Sequence, residues 1–580
     1  MTGRRDRAGL SRREYLTAGV AAGGLGLAGC GALLNRVDPD STDQLSVTIT
    51  AVPDDDDRQV NGIFTDLEAK LNAVGIDVSF DLRMTHEFYR AILMENDFDM
   101  YVGYFPGDRT LDYLYMLCHS QFINDPGWQN PFGLTNIQLD DHLEAQRREA
   151  GERRAETLVA VLETLVETKP FVPICEPSQH RVVTDQHFGG WRPDRLNSSL
   201  GYLGLEQVGS TADMTGLLLD ARATQNVNPL AVFFRRRGAV VNLLYDSIAR
   251  YVDGSLTPWL ATDWTMDETS ATVTLREDCH FHDDEALTAD DVVFTYDLIA
   301  DLSLGRAESP VPSPRFRRER SLIEAVEVID DETVAFRFDR TTDPVGDGLT
   351  IPILPRHIWE PLVEELDEET ATTEPWLRDA LLSARDERVG SGPYAVEELV
   401  EREELSLVRN DEHFTLRESV DLPAPTAETL RFLPAANSSS AIAMVETGEA
   451  SVTVSPLESH AIPDPADLDG ARLVETNSSG FYHVGFNLRH EPFSNTNLRR
   501  AIASLIDREW LVADVFEGNA RPITAPRSDA FEDELAGRSA PDRTVPFAGD
   551  SGELDVEAAR DRFREAGFKY DEDGRLVVND

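Results

Sequence analysis

The chain has 580 residues, 41% of them hydrophobic, with a formal net charge of −51. That length is well past the size at which one core keeps growing, so two or more lobes are expected, and so negative a chain argues against nucleic acid as a partner. Lysine occurs only at Lys70, Lys169 and Lys569 against a background of arginine, a composition suited to molar salt, where the Debye length shrinks to ~3 Å and self-repulsion is screened.

The first residues read as an address. Ser11-Arg12-Arg13-Glu14-Tyr15-Leu16 resembles a twin-arginine export signal, and the small, apolar run that follows ends in Leu27-Ala28-Gly29-Cys30, which resembles a lipobox. Residues 1–29 are therefore expected to be a signal peptide and 30–44 a polar tether, with Cys30 lipidated and the chain held at the outer face of the membrane. An uncleaved anchor would give the same topology. Cys118, Cys175 and Cys279 remain; three thiols cannot pair completely, so buried free thiols are expected, with one bridge as the alternative.

In chain order, 45–52 alternates like a strand. Val60, Ile63, Phe64, Leu67, Leu71 and Val74 line one helical face ended by Gly75, and 76–82 alternates again, so the unit predicts a parallel crossover. A short helix is expected at 89–94, a strand at 98–104, a helix at 152–169 and a strand at 171–175. A second beginning follows: a strand at 217–221, a helix at 240–251 and a hairpin turn at Asp253-Gly254. Residues 271–275 alternate, and Thr288 is placed to cap a helix whose apolar face is Val292, Val293, Tyr296 and Ile299. A Pro- and Arg-rich loop at 309–320 and a hairpin over 325–338 come next. Helices are predicted at 498–516 and 556–566, and 570–580 reads as a turn.

Several stretches together resemble the extracytoplasmic solute-binding proteins of ABC importers in the dipeptide, oligopeptide and nickel class, family 5. They are Asn228-Pro229, Leu244-Tyr245-Asp246, Leu256-Thr257-Pro258-Trp259-Leu260-Ala261, Leu275-Arg276, Phe281-His282-Asp283 and Leu287 to Val292, then Gly390 to Tyr394, Arg409-Asn410, Thr447-Gly448-Glu449, Phe486-Asn487, Arg499-Arg500-Ala501-Ile502, Ile506-Asp507-Arg508 and Glu565-Ala566-Gly567-Phe568. The resemblance implies an α/β fold of two lobes, the type II periplasmic-binding-protein or Venus flytrap arrangement, with an extra small subdomain. The order departs from the family. A segment that resembles the family's last part, with Gly75-Ile76-Asp77-Val78 and Phe98-Asp99-Met100, stands first, so the chain is expected to be a circular permutant with old termini joined around 206–213. One lobe would hold 178–455, with a subdomain about 250–345, and the other would combine 45–177 with 456–580. Crossings are expected near 174–179 and 451–457.

The resemblance also implies where a ligand would sit. In peptide-binding members an aspartate a few residues after a Gly-Trp pair holds the ligand ammonium; here Gly103-Tyr104-Phe105-Pro106-Gly107-Asp108 matches with Tyr104 for tryptophan and one extra residue, giving Asp108, with Asp112 as fallback. Phe233, Phe234 and Arg235 would line the cleft from the other lobe, and Tyr482, His483 and Asn487 would border it. His280, His282, Asp283 and Asp284 could group round a metal, but the family's Phe-His-Asp turn is remote from ligand, so no metal or cofactor is expected. No nucleophile elbow, phosphate loop or metalloprotease helix occurs. The implied function is a monomeric, lipid-anchored binding protein that hands a di- or oligopeptide to an ABC permease and its ATPase. The alternatives are a nickel or metal-chelate binder of the same family, or an exported hydrolase on a two-lobe scaffold.

Overall fold

The structure is a computed structural model and describes residues 42–220, 224, 226–231, 239–339, 343–365, 388–476, 480–539 and 545–579. The expected signal residues Arg12, Arg13 and Cys30, and the expected cleft residues Phe233, Phe234 and Arg235, lie outside the described residues. No helix among the described residues is long and apolar enough to cross a membrane.

The predicted opening unit is present. Ser46–Ala51 and Asp77–Leu82 pair in parallel from Ser46 opposite Asp77 to Ala51 opposite Leu82, joined by helix Arg58–Ala73. Asp57 caps that helix by accepting from Gln59 and Val60 N–H, and Val60, Ile63, Phe64, Leu67 and Leu71 are buried beneath it. The strands belong to a six-stranded sheet in the order Ala520–Pro522, Phe171–Pro177, Phe481–Phe486, Met100–Phe105, Ser46–Ala51, Asp77–Leu82. This sheet thus draws its strands from both ends of the sequence.

The intervening chain builds a seven-stranded sheet. Asp213–Leu218 lies near its centre, parallel to both Thr429–Pro434 and Val452–Thr453. Gln179–Val183 and Arg472–Thr476 close one side. A four-stranded antiparallel sheet, Ala261–Met266, Ser270–Leu275, Thr333–Arg337 and Ala325–Asp330, shares one continuous apolar core with the seven-stranded sheet, from Val183 and Met214 to Val273 and Phe336. These layers make a two-lobe α/β fold with a small subdomain on one lobe.

The chain passes from the six-stranded to the seven-stranded sheet where Pro177 ends one strand and Gln179 begins the next. The second crossing differs from expectation. Val452–Thr453 and Arg472–Thr476 both remain in the seven-stranded sheet, and the chain enters the six-stranded sheet only at Phe481. The lobe therefore runs past the expected boundary at 455, because Leu473 and Val474 pair with Val182 and Arg181.

Two predicted helices also differ. Residues 240–251 form a helix only over Val241–Leu244, after which Ala249–Val252 pairs with Ser255–Pro258; Asp253 and Gly254 both adopt positive φ (50° and 80°), a turn that fits a tight hairpin and not a helix end. Residues 498–516 form helices Thr496–Ala503 and Arg508–Asp514, because the Asp507 carboxylate accepts from Trp510 N–H and starts a new helix. The expected helix after Thr288 is present as Ala289–Ala300, with Thr288 N–H donating to Asp291 at 2.9 Å. Residues 570–580 contribute to a hairpin: Lys569 and Tyr570 pair with Val577 and Leu576. Cys118, Cys175 and Cys279 are all buried and unpaired.

Candidate functional site

The strand Met100–Phe105 leaves the six-stranded sheet into the stretch that carries Asp108, Arg109 and Asp112. Facing it from the other lobe are Arg318, on helix Arg317–Ser321, and Asp347, within Asp343–Thr350. Arg318 is the hub. Its Nε lies 3.1 Å from Asp108 Oδ2 and its Nη1 2.8 Å from Asp347 Oδ2, with Asp112 Oδ2 at 3.7 Å. Arg109 crosses in the opposite direction, donating to Asp347 Oδ1 at 2.6 Å and lying 3.9 Å over the Tyr251 ring. Guanidinium groups suit this role because a planar fork can bond several carboxylates while its face stacks on an aromatic ring.

Asp112 is fixed from within its own lobe. Arg147, on helix Ile137–Arg148, donates to both carboxylate oxygens (2.6 and 2.7 Å), and Gln146 adds a third bond at 2.7 Å. Arg147 also reaches the other lobe through Ser321 Oγ at 3.0 Å. Further contacts between lobes run from Arg317 to Asp125 and from Gln129 to the Pro314 carbonyl.

The carboxylates divide by their surroundings. Burial raises the Asp112 carboxyl, but the charge and hydrogen bonds of Arg147, aided by Arg318, outweigh it and hold it at about 2. Asp347 is likewise held below the ordinary range by Arg318 and Arg109 against its burial. Asp108 goes the other way: burial, with Glu319 and Asp347 nearby, outweighs Arg318 and pushes it up to about 7.

Of the other expected cleft residues, Tyr104 and Tyr482 lie on paired strands and Asn487 directly follows one. Tyr104 and Tyr482 stand opposite each other with ring centroids 5.0 Å apart, and the Tyr482 hydroxyl lies 3.3 Å from Asp57. Asn487 is spent on the backbone, its amide donating to the Asn96 and Phe98 carbonyls and its oxygen accepting from Arg489 N–H. His483 is buried among aromatic rings, with Tyr101 Oη 2.8 Å from Nε2, and burial pushes its imidazole down to about 3. His282 uses Nδ1 on Gly390 N–H and Nε2 on the Gly392 carbonyl, while Asp283 pairs with His357. Among the described residues no group of three or more His, Cys, Asp or Glu could hold a metal.

A sequence profile of the bacterial extracellular solute-binding proteins, family 5 (middle region), matches residues 255–579, more than half of the chain. The chain belongs to that family. Its curated family 5 relatives include the oligopeptide-binding protein AppA of Bacillus subtilis, 25% identical over 304 residues, which cover 51% of this chain and 48% of AppA. The dipeptide-binding protein DppE of the same organism is 23% identical over 280 residues, 47% of this chain and 48% of DppE. The chain thus spans about half the length of the curated relatives it matches. Among solved structures, AppA from Bacillus subtilis in complex with a nonapeptide is 19% identical, with a TM-score of 0.45 over 63% of this chain and 66% of that one.

Within this family 5 chain, Asp108 falls at the meeting of the lobes. The residues that sequence reasoning missed are its partners, Arg318, Arg109, Asp347 and Arg147. Arg318 lies in the Pro- and Arg-rich stretch that was expected to be a loop and that ends as helix Arg317–Ser321, and its concentration of arginine was the signal available.

Proposed function

We propose that this protein is an extracytoplasmic solute-binding protein of an ABC importer, capturing a di- or oligopeptide by closure of its two lobes. Family membership supports the class. The observation that carries the closure is the arginine–carboxylate network across the lobes, in which Arg318 and Arg109 each bond a carboxylate of the opposite lobe. Ligand binding stabilises the arrangement in which both lobes touch it. A ligand ammonium has the same charge as the Arg318 guanidinium and takes its place at Asp108, with Tyr104 and Tyr482 as further proposed ligand contacts. Asp112 and Asn487 act one step away, because their polar atoms are committed to Arg147 and to the backbone.

The finer parts of the proposal follow from the sequence. Arg12-Arg13 directs export, Cys30 carries the lipid that anchors the chain outside the membrane, and the monomer delivers its ligand to a permease and ATPase complex. The charge of −51 and the near absence of lysine fit a host that lives in molar salt. The order of segments fits a circular permutation. One sheet takes strands from 46–177 and from 481–522, Leu45 N–H donates to the Leu576 carbonyl at 2.8 Å, and Leu576 N–H donates to the Gly75 carbonyl at 2.8 Å.

The test is to purify the full protein in ~2–4 M salt, where surface charge is screened, and to identify any co-purified small molecule by mass spectrometry. Peptides released on denaturation are expected. A different class of solute, found repeatedly, would replace the peptide reading, and a ligand bound equally by an Asp108→Asn variant would remove Asp108 from the site.

A further inference from the structure

Asp108 lies between strand Met100–Phe105 and helix Tyr113–Cys118 and belongs to neither element. Such a stretch is held in place by whatever bonds its backbone. Asp108, Arg109 and Leu111 are each bonded to one segment far along the chain. Asp529 N–H donates to the Asp108 carbonyl at 3.0 Å and Ala530 N–H to the Arg109 carbonyl at 2.9 Å. Leu111 N–H donates at 2.7 Å to Oε2 of Glu534, 423 positions later in sequence. The Tyr113 hydroxyl completes the seam, donating to the Arg527 carbonyl at 2.9 Å.

That segment is itself anchored. Phe531 and Leu535 are buried, Arg527 lies 3.9 Å over the Phe531 ring, and Glu534 N–H donates to the Ala530 carbonyl at 2.8 Å in the short helix Phe531–Glu534. The Glu534 side chain is only 5% exposed. A carboxylate so placed is costly unless it is both paired and hydrogen-bonded, and Glu534 meets both conditions. Its Oε1 accepts at 2.8 Å from Arg154 Nη2, on helix Gly151–Thr168. Its Oε2 accepts from Ser528 Oγ at 2.6 Å as well as from Leu111. One buried carboxylate therefore joins a long helix, the anchored segment and the stretch that carries Asp108.

We propose that Glu534 is a positioning residue for ligand capture: by fixing Leu111 N–H it holds the Asp108 carboxylate where it meets Arg318 and, on binding, the cation of the ligand. The role rests on the peptide reading of Asp108. Glu534 acts through the backbone and not on the ligand, since its oxygens are committed to Arg154, Ser528 and Leu111. For this role the reach of the side chain matters more than its charge. Leu111 offers a neutral N–H that needs an acceptor at that point, whereas the ion pair with Arg154 serves to bury the charge.

Two substitutions separate reach from charge. Glu534→Gln keeps an acceptor within reach of Leu111 and loses the charge; Glu534→Asp keeps the charge and falls one methylene short. In the full, ligand-free chain, amide exchange at Leu111, Asp529 and Ala530 is expected to quicken about tenfold or more in Glu534→Asp and to stay within about threefold of wild type in Glu534→Gln. Exchange in helix Arg58–Ala73 is expected to be the same in all three proteins. The preference of the wild type for free over N-acetylated peptides is expected to fall about tenfold in Glu534→Asp and to persist in Glu534→Gln. Faster exchange spread evenly over the chain, or a Glu534→Gln variant impaired as much as Glu534→Asp, would overturn the positioning role and leave Glu534 a stabilising ion pair. A wild type that binds no free peptide would contradict the peptide reading, and the exchange comparison, which needs no ligand, would still decide whether Glu534 holds the Asp108 stretch.

Discussion

Arg318 Nε sits 3.1 Å from Asp108 Oδ2, so a guanidinium of one lobe pairs with a carboxylate of the other. The residues are 210 positions apart in sequence, and each belongs to a different sheet system. Their contact, reinforced at Asp347, makes the closed arrangement an electrostatic state of the protein as well as a packed one.

Removing the hub is expected to loosen that state. Arg318→Met leaves Asp108 and Asp347 facing each other without the shared cation, and breaking a buried pair from one side costs about 3 kcal/mol or more. The ligand-free variant is expected to show a larger radius of gyration by small-angle X-ray scattering and a lower melting temperature. An unchanged scattering profile would mean that Arg318 does not hold the lobes.

The network also predicts a two-sided pH dependence. Asp112 is held at about 2 against an ordinary 3.8, so its contribution, about 2 kcal/mol by linkage, is present above pH 4 and is lost as pH falls towards 2. Asp108 is raised from 3.8 to about 7; between those values the folded protein holds a proton that the unfolded chain has released, so stability declines as pH rises through that window. Urea denaturation across pH 2–9 should show both limbs. Asp112→Asn is expected to flatten the acid limb, and Asp108→Asn the decline towards neutrality.

Much of the fold could be read locally, and the site could not. The spacing of Val60, Phe64, Leu67 and Leu71 announces a helix, and the alternation on either side announces strands, because periodicity reports burial directly. The same rule misled at 240–251: Val241, Leu244 and Ile248 have helical spacing, yet Asp253-Gly254 closes a hairpin that draws Ala249–Val252 into pairing. Asp507 as a cap inside an apolar run was equally easy to overlook. Asp108 could be marked by likeness to a motif. Its occupant could not, since nothing in the local sequence tells Arg318 from Arg317 or Arg320; only the fold decides which one faces Asp108.

Salt should act on the whole molecule. With a net charge of −51, lowering ionic strength lengthens the Debye length from ~3 Å at 1 M to ~10 Å at 0.1 M and exposes self-repulsion. The melting temperature is expected to fall steeply below about 0.5 M salt, by a similar amount in potassium and sodium salts of one anion. A melting temperature independent of salt would contradict adaptation to a saline host.

The proposed permutation predicts that the chain tolerates re-cutting. Because Leu45 bonds to Leu576 and Leu576 to Gly75, a short Gly/Ser linker from Asn579 to Gln44, with new ends opened at residues 206–213, should restore the family order of segments. Circular dichroism of the relinked protein is expected to match the parent, with a melting temperature within a few degrees. Failure to fold would argue that the present order is required.

The central claim is that the cleft beside Asp108 captures a peptide. The direct measurement is a thermal shift of the full protein in ~2 M salt against pools of free and N-acetylated peptides. The account predicts stabilisation by free peptides, weakened by N-acetylation and abolished in Asp108→Asn. No stabilisation of the wild type by any peptide pool would contradict it.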